Sequence, residues 1–116
     1  MGIKMNLPDT INICGIPFNV EERNDLFSTN GVCNGEIEHS KALIKININI
    51  AEVLKMPTLY HEWVHGALIL LGHDELCDNE QFVQSMAIAI YQTFQIREDC
   101  IAKTAGCNPA QLAGQG

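Results

Sequence analysis

PTLYHEWVHGALILLG, residues Pro57 to Gly72, decides how this chain is read. Written as a helix, it sets His61 and His65 at i and i+4, one turn apart on one face, where two imidazoles can hold a single metal ion. Glu62 lies to one side of that pair, close to whatever the ion holds. It is the only formally charged side chain in the stretch, and Leu59, Trp63, Val64, Ala67, Leu68, Ile69, Leu70 and Leu71 surround the helix with apolar surface. Such a helix is expected to be mostly buried. Burying a carboxylate and two imidazoles without partners costs on the order of several kcal/mol, so the setting itself asks for an ion. Chance is a poor alternative. With four histidines and nine glutamates in 116 residues, about 1% of shuffled sequences would contain His-Glu-x-x-His anywhere, before any demand for an apolar helix.

The remaining composition bounds the answer. A chain of 116 residues has room for one core, so a single domain over 1–116 is expected, with 1–9 and 99–116 as flexible ends. An apolar fraction of 47% fits a globular protein and not a disordered one. The net charge of −7 and the absence of any basic run argue against nucleic acid or an acidic membrane as partner. The N-terminus, MGIKMNLPDTINIC, lacks the apolar core of a secretory signal, and no apolar run is long enough to span a bilayer. A cytoplasmic protein is therefore expected, and with it reduced thiols at Cys14, Cys33, Cys77, Cys100 and Cys107, an odd set without a CxxC pair.

Around the helix the pattern is that of an α+β domain. Ile11 and Ile13, then Ile16, Phe18 and Val20, alternate with polar neighbours on either side of Cys14-Gly15, as one kinked strand or two short ones, with Pro17 marking an edge or a bend. Asn34-Gly35 has the composition of a hairpin turn. Another turn is expected at His39-Ser40-Lys41, where His39 reads as an exposed loop residue. From Ala42 to Ile50, ALIKININI, Ile44, Ile46, Ile48 and Ile50 alternate with Lys45, Asn47 and Asn49, the clearest strand of the chain. Pro57 suits the first turn of the helix and Gly72 its end. After a loop at His73 to Cys77, Asp78 with Gln81 reads as a capping box opening a second helix from about Asn79 to Arg97, its apolar stripe formed by Phe82, Val83, Met86, Ile90 and Phe94.

A catalytic zinc takes three protein ligands and keeps a fourth position open, so two histidines do not complete the site. Glu80, in the first turn of the second helix, is the first choice for the third ligand, although an acidic residue there also suits the helix dipole. His73 is the rival, but HExxHxxGxxH spacing would put a histidine at position 71, which is Leu71. Zinc lowers the pKa of a bound water to about 7, and Glu62 is placed to take its proton and pass it to a leaving amine. Tyr60 and Tyr91 are the phenols available as oxyanion donors, with a core role as the plainer alternative, and Asp74, Asp78 or a backbone carbonyl could steady the two imidazoles. If Ala42 to Ile50 were a sheet edge along the cleft, an extended peptide could join it as an extra strand, which makes a polypeptide the expected substrate.

His61-Glu62-x-x-His65 on a short apolar helix, preceded by ALIKININI and followed by Asp78-Asn79-Glu80-x-x-Val83, resembles the small zinc peptidases of phages and prophages of the ImmA/IrrE type and, more distantly, the SprT type. The likeness runs from about Thr10 to Phe94 and takes in Gly15-Ile16-Pro17-Phe18 and Gly31-Val32-Cys33-Asn34. It implies His61 and His65 as metal ligands, Glu80 as the third, Glu62 as the base, Zn2+ as cofactor, and a minimal zincin-like (gluzincin-like) fold with a small antiparallel sheet packed on the active-site helix and a second, C-terminal helix. ImmA/IrrE-type chains usually carry Ala and Asn soon after the third acidic ligand, where this one has Gln81-Phe82-Val83-Gln84. The alternative reading is a non-catalytic zinc-containing module that binds a protein partner, and retention of Glu62 favours the enzyme.

Overall fold

A computed structural model describes residues 7–28 and 31–106, with the backbone alone for Ser28, Val32 and 94–106. Thr10–Ile13 (β1) and Ile16–Arg23 (β2) form a hairpin in which Ile13 faces Ile16. Cys14 and Gly15 make the turn, both with positive φ, 51° and 84°. That is the backbone a two-residue hairpin with right-handed strand twist requires. Phe27–Ser28 (β3) and Gly31–Val32 (β4) form a second, minute hairpin, and Gly35–Glu38 (β5), a 3-10 turn at His39–Lys41 and Leu43–Asn47 (β6) follow. The helices are Glu52–Leu70 (α1), Asp74–Cys77 (α2) and Glu80–Gly106 (α3). The fold is α+β.

The four-stranded sheet has the order β1-β2-β6-β5 and is mixed, not antiparallel as expected: β2 and β6 run parallel, from Asn19 beside Leu43 to Arg23 beside Asn47. Four short elements between β2 and β6, the strands β3 to β5 and the 3-10 turn, turn the chain back before β6 begins, which makes the parallel pairing possible. Pro17 lies in the part of β2 that pairs only with β1, so its missing N–H breaks no ladder with β6. β6 is thus an inner strand and β5 the edge, which corrects the expectation that Ala42 to Ile50 borders the cleft. The strand also stops early, because Asn47 Oδ1 accepts from the Asn49 N–H at 2.9 Å while Asn47 Nδ2 donates to the Cys33 carbonyl at 3.0 Å. That local turn competes with further ladder bonds and leaves Ile48 exposed. Asn34-Gly35 is not a hairpin turn either; Gly35 opens β5.

One face of the sheet packs on α1. Ile13, Phe18, Ile44, Ile46 and Leu59 are fully buried there, each contributing roughly 1.5–3 kcal/mol through the apolar surface removed from water. Gly66 lets the layers meet, since a β-carbon at that position would stand 2.8 Å from both Ile13 Cδ1 and Ile37 Cδ1. A second cluster, Val64 with Val83 and Ala87, joins α1 to α3, and Trp63 packs against both clusters while its Nε1–H donates to the Asn12 carbonyl at 2.9 Å. Hence α1 needs apolar residues on two faces, which is why its sequence is apolar nearly all round.

The helix ends depart from expectation at three places. α1 starts at Glu52, five residues before Pro57, which therefore sits inside the helix and cannot donate to the carbonyl of exposed Val53. At the other end, Gly72 has φ 82°, with bonds from Gly72 N to Ile69 O at 3.0 Å and from His73 N to Leu68 O at 2.7 Å. This is the Schellman arrangement. The segment His73 to Cys77 contains the helical turn α2, and Asp78 ends it. Asn79 caps α3 instead, its Oδ1 accepting from the Phe82 N–H at 3.0 Å. α3 continues to Gly106, past the expected end near Arg97, because nothing between breaks a helix before Gly106. Residues 7–9 are tied down in part, with the Val20 N–H donating to the Asp9 carbonyl at 2.8 Å. The expected flexibility of 1–6 and 107–116, the side chain of Phe94, and the thiols of Cys100 and Cys107 lie outside the described residues, while Cys14, Cys33 and Cys77 are free thiols. Among the described residues no helix is long and apolar enough to cross a membrane.

Candidate metal centre

The third face of α1 is the floor of a cleft of about 730 Å³. Leu54, Pro57, Thr58, His61, Glu62, His65 and Ile69 form the floor; Cys33 to Ile37 and His39 make one wall, and Cys77, Glu80 and Gln84 the other. Both motif histidines point across to the α3 wall. His61 Nε2 stands 3.2 Å from Glu80 Oε2 and His65 Nε2 2.8 Å from Glu80 Oε1. Ligand atoms of all three residues lie within 4.8 Å of one another. Glu80 reaches them from the first residue of α3, its side chain 67% exposed, so α2 is the device that turns the chain and brings α3 back over His61 and His65.

The other nitrogen of each imidazole is engaged. His61 Nδ1 lies 2.7 Å from Gln84 Oε1, and with that oxygen as acceptor Nδ1 carries the proton. His65 Nδ1 lies 3.2 Å from Cys77 Sγ, whose own S–H donates to the His65 carbonyl at 3.6 Å. Burial, followed by nearby carboxylates, raises the Cys77 pKa, so the thiol stays protonated and can play both parts. Burial likewise lowers the His65 pKa, against the pull of Glu80, which favours the neutral ring. Each Nε2 faces the Glu80 carboxylate, and in the neutral tautomer with the proton on Nδ1 its lone pair is turned toward that carboxylate, an arrangement that a cation completes. Donors about 2.0–2.1 Å from a tetrahedral zinc stand roughly 3.3 Å apart, close to the N···O separations of 3.2 and 2.8 Å. The donor set fits zinc.

Glu62 sits on the opposite side of the floor, against β5. It is 8% exposed, and burial raises its pKa from the ordinary 4.5 to about 7, with His61 opposing and Glu80 and Glu36 adding to the rise. A carboxylate tuned near neutrality suits proton transfer at neutral pH. The wall beside it is an open strand edge. The Asn47 N–H donates to the Asn34 carbonyl at 2.8 Å, so by antiparallel alternation Glu36 and Glu38 bond to β6, while the backbone groups of Gly35 and Ile37 turn outward. The Gly35 carbonyl takes a bond from Cys33 Sγ at 2.8 Å.

The structure brings together His61, Glu62, His65 and Glu80. His73 is elsewhere, exposed at the start of α2 and outside the cleft lining. Tyr60 and Tyr91 do not line the cleft; they pack on each other with ring centroids 5.7 Å apart. The partners of the imidazoles are Gln84 and Cys77, where Asp74, Asp78 or a backbone carbonyl was the expectation. Gln84 had a signal, since it lies one helical turn beyond Glu80 on the same face. His39 is half-buried in the cleft wall and not an exposed loop residue, because the turn after β5 folds its ring edge-on to Phe18. Compared with family models, curated proteins and solved structures, the chain has no match in any of the three.

Proposed function

We propose that this chain is a zinc-dependent metallopeptidase with a minimal zincin-like fold, of the phage and prophage kind that the ImmA/IrrE resemblance implies, cleaving a polypeptide in the cytoplasm. The observation that carries the reading is the convergence of two imidazole Nε2 atoms and one carboxylate, with a buried carboxyl group beside them in an open cleft. His61, His65 and Glu80 would hold the ion. Zinc in such a three-ligand setting supplies Lewis acidity, acidifying a water to a pKa of about 7 and polarising a carbonyl. Glu62, beside those ligands in the cleft, would accept a proton from the attacking water and return it to the leaving amine. The outward N–H and C=O groups of Gly35 and Ile37 support an extended peptide as substrate, aligned by main-chain bonds along β5. A purely structural zinc site has no use for a buried carboxyl group beside its ligands, which favours the enzyme over a binding module.

Elemental analysis of protein purified without added metal tests the site. About one zinc per chain is expected, lost in His61→Ala, His65→Ala and Glu80→Ala. Glu62→Gln should keep the metal and stop cleavage of a peptide mixture. Zinc retained by Glu80→Ala and lost by His73→Ala would overturn the ligand assignment; undiminished cleavage by Glu62→Gln would overturn the mechanism.

A further inference from the structure

The cleft holds one polar atom that the fold leaves unanswered. His39 Nε2 is buried without a hydrogen-bond partner, the only such side-chain nitrogen or oxygen among the described residues. The rest of the ring is held by shape: it meets Phe18 edge-on, with centroids 6.5 Å apart and planes at 85°. An unpaired buried donor or acceptor costs about 1–3 kcal/mol, which an apolar side chain of similar size would avoid. Packing alone therefore does not account for a histidine here, and an unsatisfied buried group in a native fold calls for a reason, a role in the site among them.

Its position suggests the use. His39 lines the cleft with Ile37, His65 and Ile69. It directly follows β5, so a strand laid along Gly35 to Ile37 runs on to it. An already desolvated nitrogen gives up no water when a partner arrives, so it returns more of a hydrogen bond's strength than an exposed one. The Cβ–Cγ torsion of histidine has a broad well, and a turn of the ring can present the nitrogen to a ligand.

We propose that His39 is a substrate-binding residue, its imidazole hydrogen-bonding a polar atom of the polypeptide that lies along β5. This rests on the peptidase reading. The test compares His39→Leu and His39→Gln with wild type for zinc content, denaturant midpoint and cleavage of internally quenched peptides, and repeats each substitution in zinc-loaded Glu62→Gln protein for peptide affinity. His39→Leu should keep its zinc, match or exceed the wild-type midpoint, and lose about tenfold in kcat/KM and in affinity, with His39→Gln recovering part of both. Undiminished kcat/KM in His39→Leu, or a midpoint that falls together with activity, overturns the proposal. If the wild type cleaves nothing, the peptidase reading fails by itself; peptide affinity in the Glu62→Gln background then decides for His39, and affinity unchanged by His39→Leu, or no binding at all, overturns it too.

Discussion

Gly35 and Glu62 touch across the cleft: a β-carbon at position 35 would lie 3.3 Å from Glu62 Cγ and 2.7 Å from Thr58 Cγ2. The edge strand thus rests directly on the side chain of the proposed base, and glycine is required by close approach, not by an unusual φ. Gly35→Ala should push Glu62 off its line. The expected result is a zinc content equal to wild type and a kcat lowered by up to about 10-fold, since Glu62 must give by a few tenths of an ångström, less than the roughly 1 Å misplacement that costs about 100-fold. Thr58→Ser removes the offending methyl while keeping the hydroxyl that donates to the Leu54 carbonyl at 2.7 Å. In the double variant part of the lost rate should return, and steady-state kinetics of the four proteins would show whether it does.

Gln84 and Cys77 fix the imidazoles through their Nδ1 atoms, so their loss should be felt by the metal before it is felt by the fold. Gln84→Leu and Cys77→Ala are each expected to weaken zinc binding by about 10- to 100-fold, the usual effect of removing a partner of a ligating histidine. Competition against a chelator of known affinity measures this directly. Cys77 is the less clean of the two because it is also buried. Its alanine variant should lose some stability in the metal-free protein, whereas Gln84→Leu, at an exposed position, should not.

The parts of this molecule that were readable in advance are those in which one local pattern dominates. The motif helix announces itself through the His61 and His65 spacing, and Ile44 and Ile46 through strict alternation. What escaped depended on competition between neighbours or on distant pairing. Asn47 looks like one more polar position of a strand, yet its side chain forms a turn that ends the strand. Asp78 and Asn79 are both good caps, and only the path out of α2 selects the second. The parallel pairing of β2 with β6 joins residues more than twenty positions apart and leaves no local mark. His39 was legible as a turn residue, but nothing nearby in sequence says that Phe18 receives its ring.

Lys55 gives a prediction independent of the cleft. It is 2% exposed on the first turns of α1, with Nζ 2.6 Å from Glu22 Oε1 on β2 and 2.6 Å from Glu52 Oε1. The bonds to Glu22 and Glu52, in that order, raise its pKa above the ordinary 10.5. Lys55→Met removes the cation between two carboxylates and should destabilise the protein by about 3 kcal/mol, the low end for breaking a buried pair because both carboxylates keep some solvent. The raised pKa means the ammonium is favoured in the folded state. Its contribution is therefore complete below the unfolded lysine pKa of about 10.4 and disappears as pH rises through the folded value. Urea unfolding of wild type and variant at pH 7 and again at the alkaline limit of reversibility should show the difference narrowing.

Glu62 should reveal itself in the metal-free protein through stability alone. Burial raises its pKa from 4.5 to about 7, so the folded state binds this proton more tightly than the unfolded chain does. Below pH 4.5 the group is protonated in both states and has no effect on the pH dependence. Between pH 4.5 and 7 the unfolded chain releases the proton first, and folding stability falls; above pH 7 the loss is complete, at about 3 kcal/mol. Glu62→Gln never carries the charge. Stripped of metal by a chelator, it should match wild type at pH 4.5 and exceed it by about that amount at pH 8. Zinc brings a positive charge next to the carboxylate and favours its ionised form, so adding the metal should shrink the gap at pH 8. Denaturant midpoints of both proteins, with chelator and with zinc, supply the comparison. A gap that ignores zinc would place Glu62 outside the influence of the ion and remove it from the mechanism.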